Sequence, residues 1–503
     1  MATLVPYAHW LSPGDNAWEL TAATLVGLMS LPGLAVLWGG LVQKKWAVNS
    51  MLMAFTGFSL VLVVWVLWAF NMGFGHPLHL GPSILGSFVG HPGPVTNHLS
   101  EEGRAHIPLL SGKGLMPKFH FPQSSLVYFQ FVFAAITPLL FMGSVLGRMS
   151  LKAWMIFVPL WTTFVYSVNA FLLWGGGFWA QHGAADYSGG YVIHLAAGTS
   201  GFVAAAVIGP RLKRDREHAA PNNLLMVATG AGLLWLGWNG FNGGDSYFAG
   251  ANAATAVLNT NIATAAGLLI WVFMDMALSR QRKPTFLGAV NGLIVGLVAI
   301  TPAAGYVNGL GALAIGAIAS AIVWLSWNKL ATKGIFKKVD DAMGVVHTHG
   351  VAGFCGGLLV GVFADPHVVE YLGVHGSQSV AVTGAIYGHP MQIAVQLGAA
   401  LTIIAWDALM TFVILKVLGL FMSLRIPDED LEIGDLAVHD EEVEPPQTLL
   451  ERVTRGRAQG YSEIGQAVLG KENPAIPPDQ GPQPNERGGR QDGPGSATGS
   501  LGS

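Results

Sequence analysis

Asp186-Tyr-Ser-Gly-Gly-Tyr-Val-Ile-His194-Leu-Ala-Ala-Gly198-Thr-Ser-Gly201 and Asp341-Ala-Met-Gly-Val-Val-His-Thr-His349-Gly-Val-Ala-Gly353-Phe-Cys-Gly356 carry one pattern twice. An aspartate is followed eight residues later by a histidine, with glycines four and seven residues beyond it. Both copies lie in apolar stretches. Ionisable groups are costly inside a lipid-spanning segment, so an intramembrane histidine points to function, and two at matching places point to one shared site. The pattern implies a chain that moves something across a membrane.

Composition agrees. The 503 residues are 51% hydrophobic and only 11% charged, against roughly 25% charged in soluble domains. Apolar runs close to the roughly 20 residues needed to cross hydrocarbon recur near 17–40, 51–74, 124–146, 153–176, 188–209, 222–243, 253–277, 286–305, 310–328, 343–364 and 390–423, eleven in all. Lipid offers backbone amides no partner, so the spans are expected to be helices and the fold class an all-α polytopic membrane protein. The first span follows Asp15 and Glu19 and precedes Lys44 and Lys45. It lacks the basic flank of a cleaved signal and is expected to be retained.

Alternate loops hold fifteen basic residues, among them Lys44, Lys45, Arg148, Arg211, Arg214, Arg280 and Lys338, whereas the opposite loops hold only Arg104, Lys113 and Lys118. The positive-inside rule then puts the N-terminus outside and, after eleven spans, the C-terminus in the cytoplasm. In this topology the fifth span runs inward from Asp186 and the tenth outward from Asp341. At a rise of about 1.5 Å per residue each histidine lies about 12 Å into its helix, from opposite faces. The two imidazoles therefore converge near the bilayer centre, as two inverted repeats of five helices require. The repeats are read as about 17–209 and 222–364, with 390–423 an extra helix, 1–425 the membrane domain and 426–503 a cytoplasmic tail.

Asp186 and Asp341 stand at helix entrances, where a carboxylate accepts bonds from free amides and meets the positive end of the helix dipole. Capping alone accounts for both; they are expected to build the site without touching a substrate. Satisfied core histidines are the bland alternative for His194 and His349, opposed by the duplication and by the cost of burying them. His347 lies about 200° around the helix from His349 and is expected to pack elsewhere. Haem or metal ligation by the pair is disfavoured by the single histidine in each half. Cys355 is the only cysteine, and the histidines at 76, 79, 91, 98, 106 and 120 read as a solvated loop, so neither a metal nor a cofactor is expected.

Three segments carry a resemblance: Asp186-Tyr-Ser-Gly-Gly-Tyr-Val-Ile-His194, Gly237-Trp-Asn-Gly-Phe-Asn-Gly-Gly-Asp245 and Asp340-Asp-Ala-Met-Gly-Val-Val-His-Thr-His-Gly350. They resemble the ammonium transporter family, the Amt/Mep/Rh proteins, from the first span to about residue 442. Tyr128-Phe-Gln130, Gly147-Arg-Met-Ser150 and Tyr247 look closest to the second plant-type subfamily and its bacterial relatives. The resemblance implies a homotrimer with one pore per subunit. His194 and His349 match the twin histidines lining it, Trp174 the aromatic ring of an outer ammonium site, and Phe133 and Phe241 a stacked gate.

The chemistry of each part is reasonable in its own right. An indole face attracts a small cation by about 2 kcal/mol when the pair is desolvated. A bare ion in a dry lumen costs several kcal/mol, so loss of a proton near the gate and passage of neutral ammonia is the preferred course. Two hydrogen-bonded neutral imidazoles offer one donor and one acceptor to guide ammonia or relay a proton. Without the resemblance, Trp174, Phe133 and Phe241 would read as packing residues of membrane helices.

Asp245 departs from the family, most of which has a serine there. A vestibule anion that strengthens attraction for any cation and a loop carboxylate that caps are both open readings. Asn242, beside the gate, is read as structural support. Gly288, Gly292 and Gly296 are read as packing, and Asp275, Asp407 and Lys416 as facing the interior or helix ends. From Ile426 the chain turns acidic, and its last thirty residues, rich in Pro, Gly, Gln and Ser, are expected to be disordered. The start of this tail resembles the family's cytoplasmic segment, with Ile433-Gly-Asp435 and His439-Asp-Glu441 deviating, and it offers a place for a PII-type signalling protein. The expected partners are ammonium or ammonia, further copies of the chain and lipid, with no nucleic acid and no enzymatic activity; the location is the cell membrane. A receptor for nitrogen supply and a membrane metalloenzyme are the rival classes; the first calls for a signalling domain that the short polar tail does not supply, the second for further ligands.

Overall fold

The computed structural model describes residues 8–79, 85–97, 101–217, 219–372 and 378–443. The expected disordered end of the tail and His98 lie outside the described residues. Among the described residues ten helices are long and apolar enough to cross a membrane: α1 Pro13–Leu41, α2 Lys44–Phe74, α3 Gln123–Val145, α4 Leu151–Gln181, α5 Gly190–Ile208, α6 Leu224–Gly244, α7 Ala251–Leu278, α9 Gly309–Leu330, α10 Val346–Phe363 and α11 Met391–Leu418. Between α7 and α9 lies the shorter apolar helix α8, Phe286–Ile300. The sequence reading had extended this span to residue 305, because hydropathy stays high through Pro302-Ala-Ala-Gly305. The backbone turns there instead, since Tyr187 N and Ser188 N donate to Pro302 O and Thr301 O, each at 3.1 Å. Among the described residues a small antiparallel pairing of Glu370–Leu372 with Gln378–Val380 lies between α10 and α11.

Small residues set the packing. Gly230, Gly237 and Gly240 on α6 lie against Leu37, Met29 and Ala22 on α1, so the two helices run antiparallel in close contact. Gly292 and Gly296 on α8 press on the backbone of α7 at Gly267 and Ala263, where a larger side chain would force the two helices apart. Helix α3 is the most enclosed element, with 94% of its apolar window buried. Outward side chains such as Leu236, Leu258, Phe273, Leu313 and Leu409 remain exposed, as a surface facing lipid or another membrane chain requires.

Arg148 fastens one end of the bundle. Its fully buried guanidinium donates to Gly209 O at 2.7 Å and to Asp340 O. Burial pushes it down to about 10, still charged at neutral pH. Burial alone would push Asp340 up, but the Arg211 guanidinium, 2.8 Å from Asp340 Oδ1, overrides it and holds Asp340 at about 2.

The start of the tail packs against this end. Ile426 N donates to Arg148 O, and the short helices α12, Asp428–Ile433, and α13, Asp435–His439, follow. The Asp435 carboxylate accepts from Val48 N at 2.7 Å and Asn49 N at 2.9 Å, tying α13 to the start of α2. Burial pushes Asp435 up to about 7, against those two amides. A carboxyl that is raised on docking binds its proton more tightly docked than free. Docking is therefore favoured below the ordinary value of 3.8 and weakens as pH rises through about 7. Protection of the amides of residues 428–439 from hydrogen exchange, corrected for intrinsic rates, is expected to fall between pH 6 and pH 8, and Asp435→Asn to flatten the fall. Equal protection at both pH values in the native chain would contradict this.

Candidate functional site

Both histidine helices begin in the same way. Three residues after each aspartate a glycine takes a left-handed conformation, Gly189 at φ +109° and Gly344 at φ +73°, which only glycine adopts without strain. Asp186 Oδ2 then accepts from Tyr191 N at 3.0 Å and Val192 N at 3.1 Å, and Asp341 accepts from Val345 N at 3.1 Å and Val346 N at 2.8 Å. Each aspartate thus accepts from free amides at the entrance of its helix. Burial pushes Asp186 up to about 6, against the amides it holds. The first turn of each helix is widened to the π form, Gly190–Leu195 and Val346–Val351, a distortion frequent at functional sites.

The glycines of the repeat let the two helices meet. A side chain on Gly198 would collide with the backbone of Gly350, and one on Gly353 would lie 2.6 Å from Gly190 O and 3.0 Å from the His194 Cβ. The two π turns are thereby held antiparallel and nearly touching. His194 Nδ1 and His349 Nδ1 stand 3.2 Å apart, with ring centroids 5.3 Å apart and 31° between planes, in almost complete burial. One nitrogen of that contact carries the proton and the other accepts it. His194 has no hydrogen-bond partner for Nε2 among the described residues. His347 points elsewhere, with Nδ1 2.8 Å from Ser326 Oγ and its ring beside Trp327.

From His194 the rings continue. Phe241 stacks at 5.9 Å, Phe133 stacks on Phe241 at 4.4 Å, and Trp174 meets Phe133 edge-on at 6.2 Å. Trp174 is only partly buried, and its Nε1 donates to Asp186 O at 2.7 Å, which fixes the indole. The structure thus brings together five of the residues singled out in the sequence: Trp174, Phe133, Phe241, His194 and His349. Asp245 lies at the end of α6, buried, where Ser188 Oγ donates to its Oδ2 and to Phe241 O at 2.8 Å. Asp245 thus ends α6 and is linked through Ser188 to the backbone of Phe241. Asn242 Nδ2 donates to Thr260 Oγ1 at 2.8 Å and anchors α6 to α7. Beyond His349 a cavity of about 520 Å³ is bounded in part by Trp38, Arg211, Trp271, Asp275 and Thr348.

Two contributors escaped the sequence reading. Trp238 stacks on the His194 ring at 5.3 Å and is held by Thr301 Oγ1 at 2.9 Å. Ser188 links the backbone of Phe241 to Asp245. Both stand inside the quoted motifs; only their position relative to the path was missing. Asp275 and Asp407 are buried and bonded to Trp324 Nε1 and Asn169 Nδ2, and Lys416 is exposed near the end of α11.

A multi-pass helical membrane protein with a buried line of aromatic and imidazole rings is the class this fold and site define. Residues 17–444 match the profile of the Ammonium Transporter Family, and the chain belongs to that family. It is 48% identical over 462 residues to Ammonium transporter 3 member 2 of Oryza sativa subsp. japonica, covering 88% of this chain and 94% of the rice protein. It is 47% identical to Ammonium transporter 2 of Arabidopsis thaliana, covering 86% and 88% of the two chains. Among solved structures, the crystal structure of Saccharomyces cerevisiae Mep2 superposes with a TM-score of 0.71 at 29% identity, over 83% of this chain and 88% of that one. The family is one of transporters, not enzymes.

Proposed function

We propose that this protein transports ammonium across the cell membrane, taking the ion at an outer vestibule under Trp174 and passing it as ammonia between Phe133 and Phe241 and along His194 and His349. The observation that carries the reading is the imidazole contact at 3.2 Å, placed where the ring column ends. An ammonium ion finds an indole face and, at the end of α6, the carboxylate of Asp245. Beyond the stacked phenylalanines the rings offer a cation no charge to replace its hydration, so the bare ion is opposed by several kcal/mol while neutral ammonia is not. The histidine pair supplies a donor and an acceptor to a molecule that has both. Asp186, Asp341 and Asn242 hold these groups without entering the path.

The same reading assigns a homotrimer with a pore in each subunit, an outer N-terminus and a cytoplasmic tail, the arrangement that the basic loops favour. It treats 1–425 as the transport domain, and the docked start of 426–503 as the surface open to a PII-type signalling protein. Purified protein in liposomes is expected to raise internal pH after an external ammonium pulse, faster than empty vesicles do. Specific ammonium binding with no flux above empty vesicles would transfer the reading to a receptor.

A further inference from the structure

Helix α11, read from the sequence as an extra helix outside the two repeats, sends one side chain to the loop behind Trp174. Gln396 is fully buried, and its amide makes all four of the hydrogen bonds open to it. Its Oε1 accepts from Ala185 N at 2.7 Å and from Gln392 Nε2 at 3.2 Å; its Nε2 donates to Ala185 O at 2.6 Å and to Gly357 O at 2.9 Å. Turned over, the amide would set its oxygen against two carbonyls, so the network fixes its orientation. A buried glutamine that merely satisfied itself would not need to grip both backbone groups of one residue.

The backbone it grips leads to the indole. Asp186 O, one residue on, accepts from Trp174 Nε1 at 2.7 Å, and Tyr187 N and Ser188 N donate to Pro302 O and Thr301 O, each at 3.1 Å. Residues 185–188 are thus held by α11 at one end and by the turn after α8 at the other. One turn earlier on α11, Gln392 Nε2 also donates to Gly183 O at 2.9 Å. The N–H is the only hydrogen-bonding atom of an indole. Where Asp186 O stands therefore decides how the Trp174 ring lies against Phe133, edge-on at 6.2 Å, and Phe74, stacked at 6.4 Å.

We propose that Gln396 is a positioning residue for ammonium uptake: it fixes the Ala185–Asp186 backbone and, through Asp186 O, sets the Trp174 indole in the orientation that meets the cation. The inference rests on the transport reading above and adds to it a residue that acts through the backbone. The Asp186 side chain has its own bonds to Tyr191 N and Val192 N, which do not involve Gln396, so the entrance of α5 and the histidine pair stay in place when Gln396 is changed. What loosens is the carbonyl that holds the indole. Gln396 accordingly controls affinity for ammonium more than the passage of ammonia.

The test compares the full-length wild type with Gln396→Met, Gln392→Met, Trp174→Leu and the double variant Gln396→Met with Trp174→Leu. Flux is measured in liposomes and ammonium binding by calorimetry on the detergent-solubilised protein. Methionine keeps close to the volume of glutamine and removes its bonds. Gln396→Met is expected to raise the half-saturating ammonium concentration by about tenfold, within the reach of a lost cation–π contact, with a smaller change in maximal rate. Gln392→Met removes one bond at Gln396 and the tie to Gly183, and should move the same value less far in the same direction. Because Gln396 acts through the indole, Gln396→Met should add nothing in the Trp174→Leu background, as changes within one connected unit are not additive. An unchanged half-saturating concentration in Gln396→Met, a fall in maximal rate alone, or an effect that persists in full without Trp174 overturns the proposal. If Gln396→Met does not fold, Gln392→Met is held to the same three outcomes. Wild-type vesicles without ammonium flux would instead overturn the transport reading, since binding by the solubilised variants reports on Gln396 independently.

Discussion

Replacing either His194 or His349 with alanine is expected to slow ammonia flux by about tenfold to hundredfold, and replacing both to do little more. Each imidazole is the other's buried partner at 3.2 Å, so one deletion both removes a contact for ammonia and orphans the ring that remains. An unsatisfied buried polar group costs about 1–3 kcal/mol, which sets the range. Groups in one hydrogen-bonded unit are not additive, so most of the loss comes with the first change. Stopped-flow measurement of internal pH in liposomes holding each single variant and the double variant provides the check. Full flux in either single variant, or single losses that multiply in the double, would remove the pair from the mechanism.

Gly198→Ala tests how the pair is held together. Its new Cβ would collide with the Gly350 backbone at the point where α5 and α10 cross, and backbone cannot turn aside as a flexible side chain can. Overpacking of this kind costs about 1–3 kcal/mol in stability. It should also drive the π turns apart and carry the imidazoles beyond hydrogen-bond reach, with flux falling as in the histidine variants. Gly232→Ala is the control, because a Cβ there meets nothing within 4 Å. Melting temperature, flux and a structure of the Gly198→Ala variant answer the question together. A variant with normal stability and an unaltered histidine contact would show that α5 and α10 tolerate a wider crossing than the packing indicates.

Much of this was legible in the sequence because the bilayer makes few demands and makes them everywhere. Apolar length gave the spans, and the repeated Asp-to-His spacing gave two antiparallel helices whose histidines meet. The eighth span was overextended because hydropathy does not register the turn through Pro302. His347 was separable from His349 by helical phase alone.

Glu19 shows the other side. In the sequence it is an acidic residue at the start of an apolar run; in the fold it is fully buried, with no hydrogen-bond partner for either carboxyl oxygen among the described residues. Trp238 likewise becomes part of the site only by stacking on His194. Periodicity and composition act along the chain, so the sequence by itself determined the helices, their order and the residues worth placing. Which rings stack, which acidic side chains are sealed from water and how closely two histidines approach depend on contacts between segments far apart in the chain, and only the tertiary structure decided those.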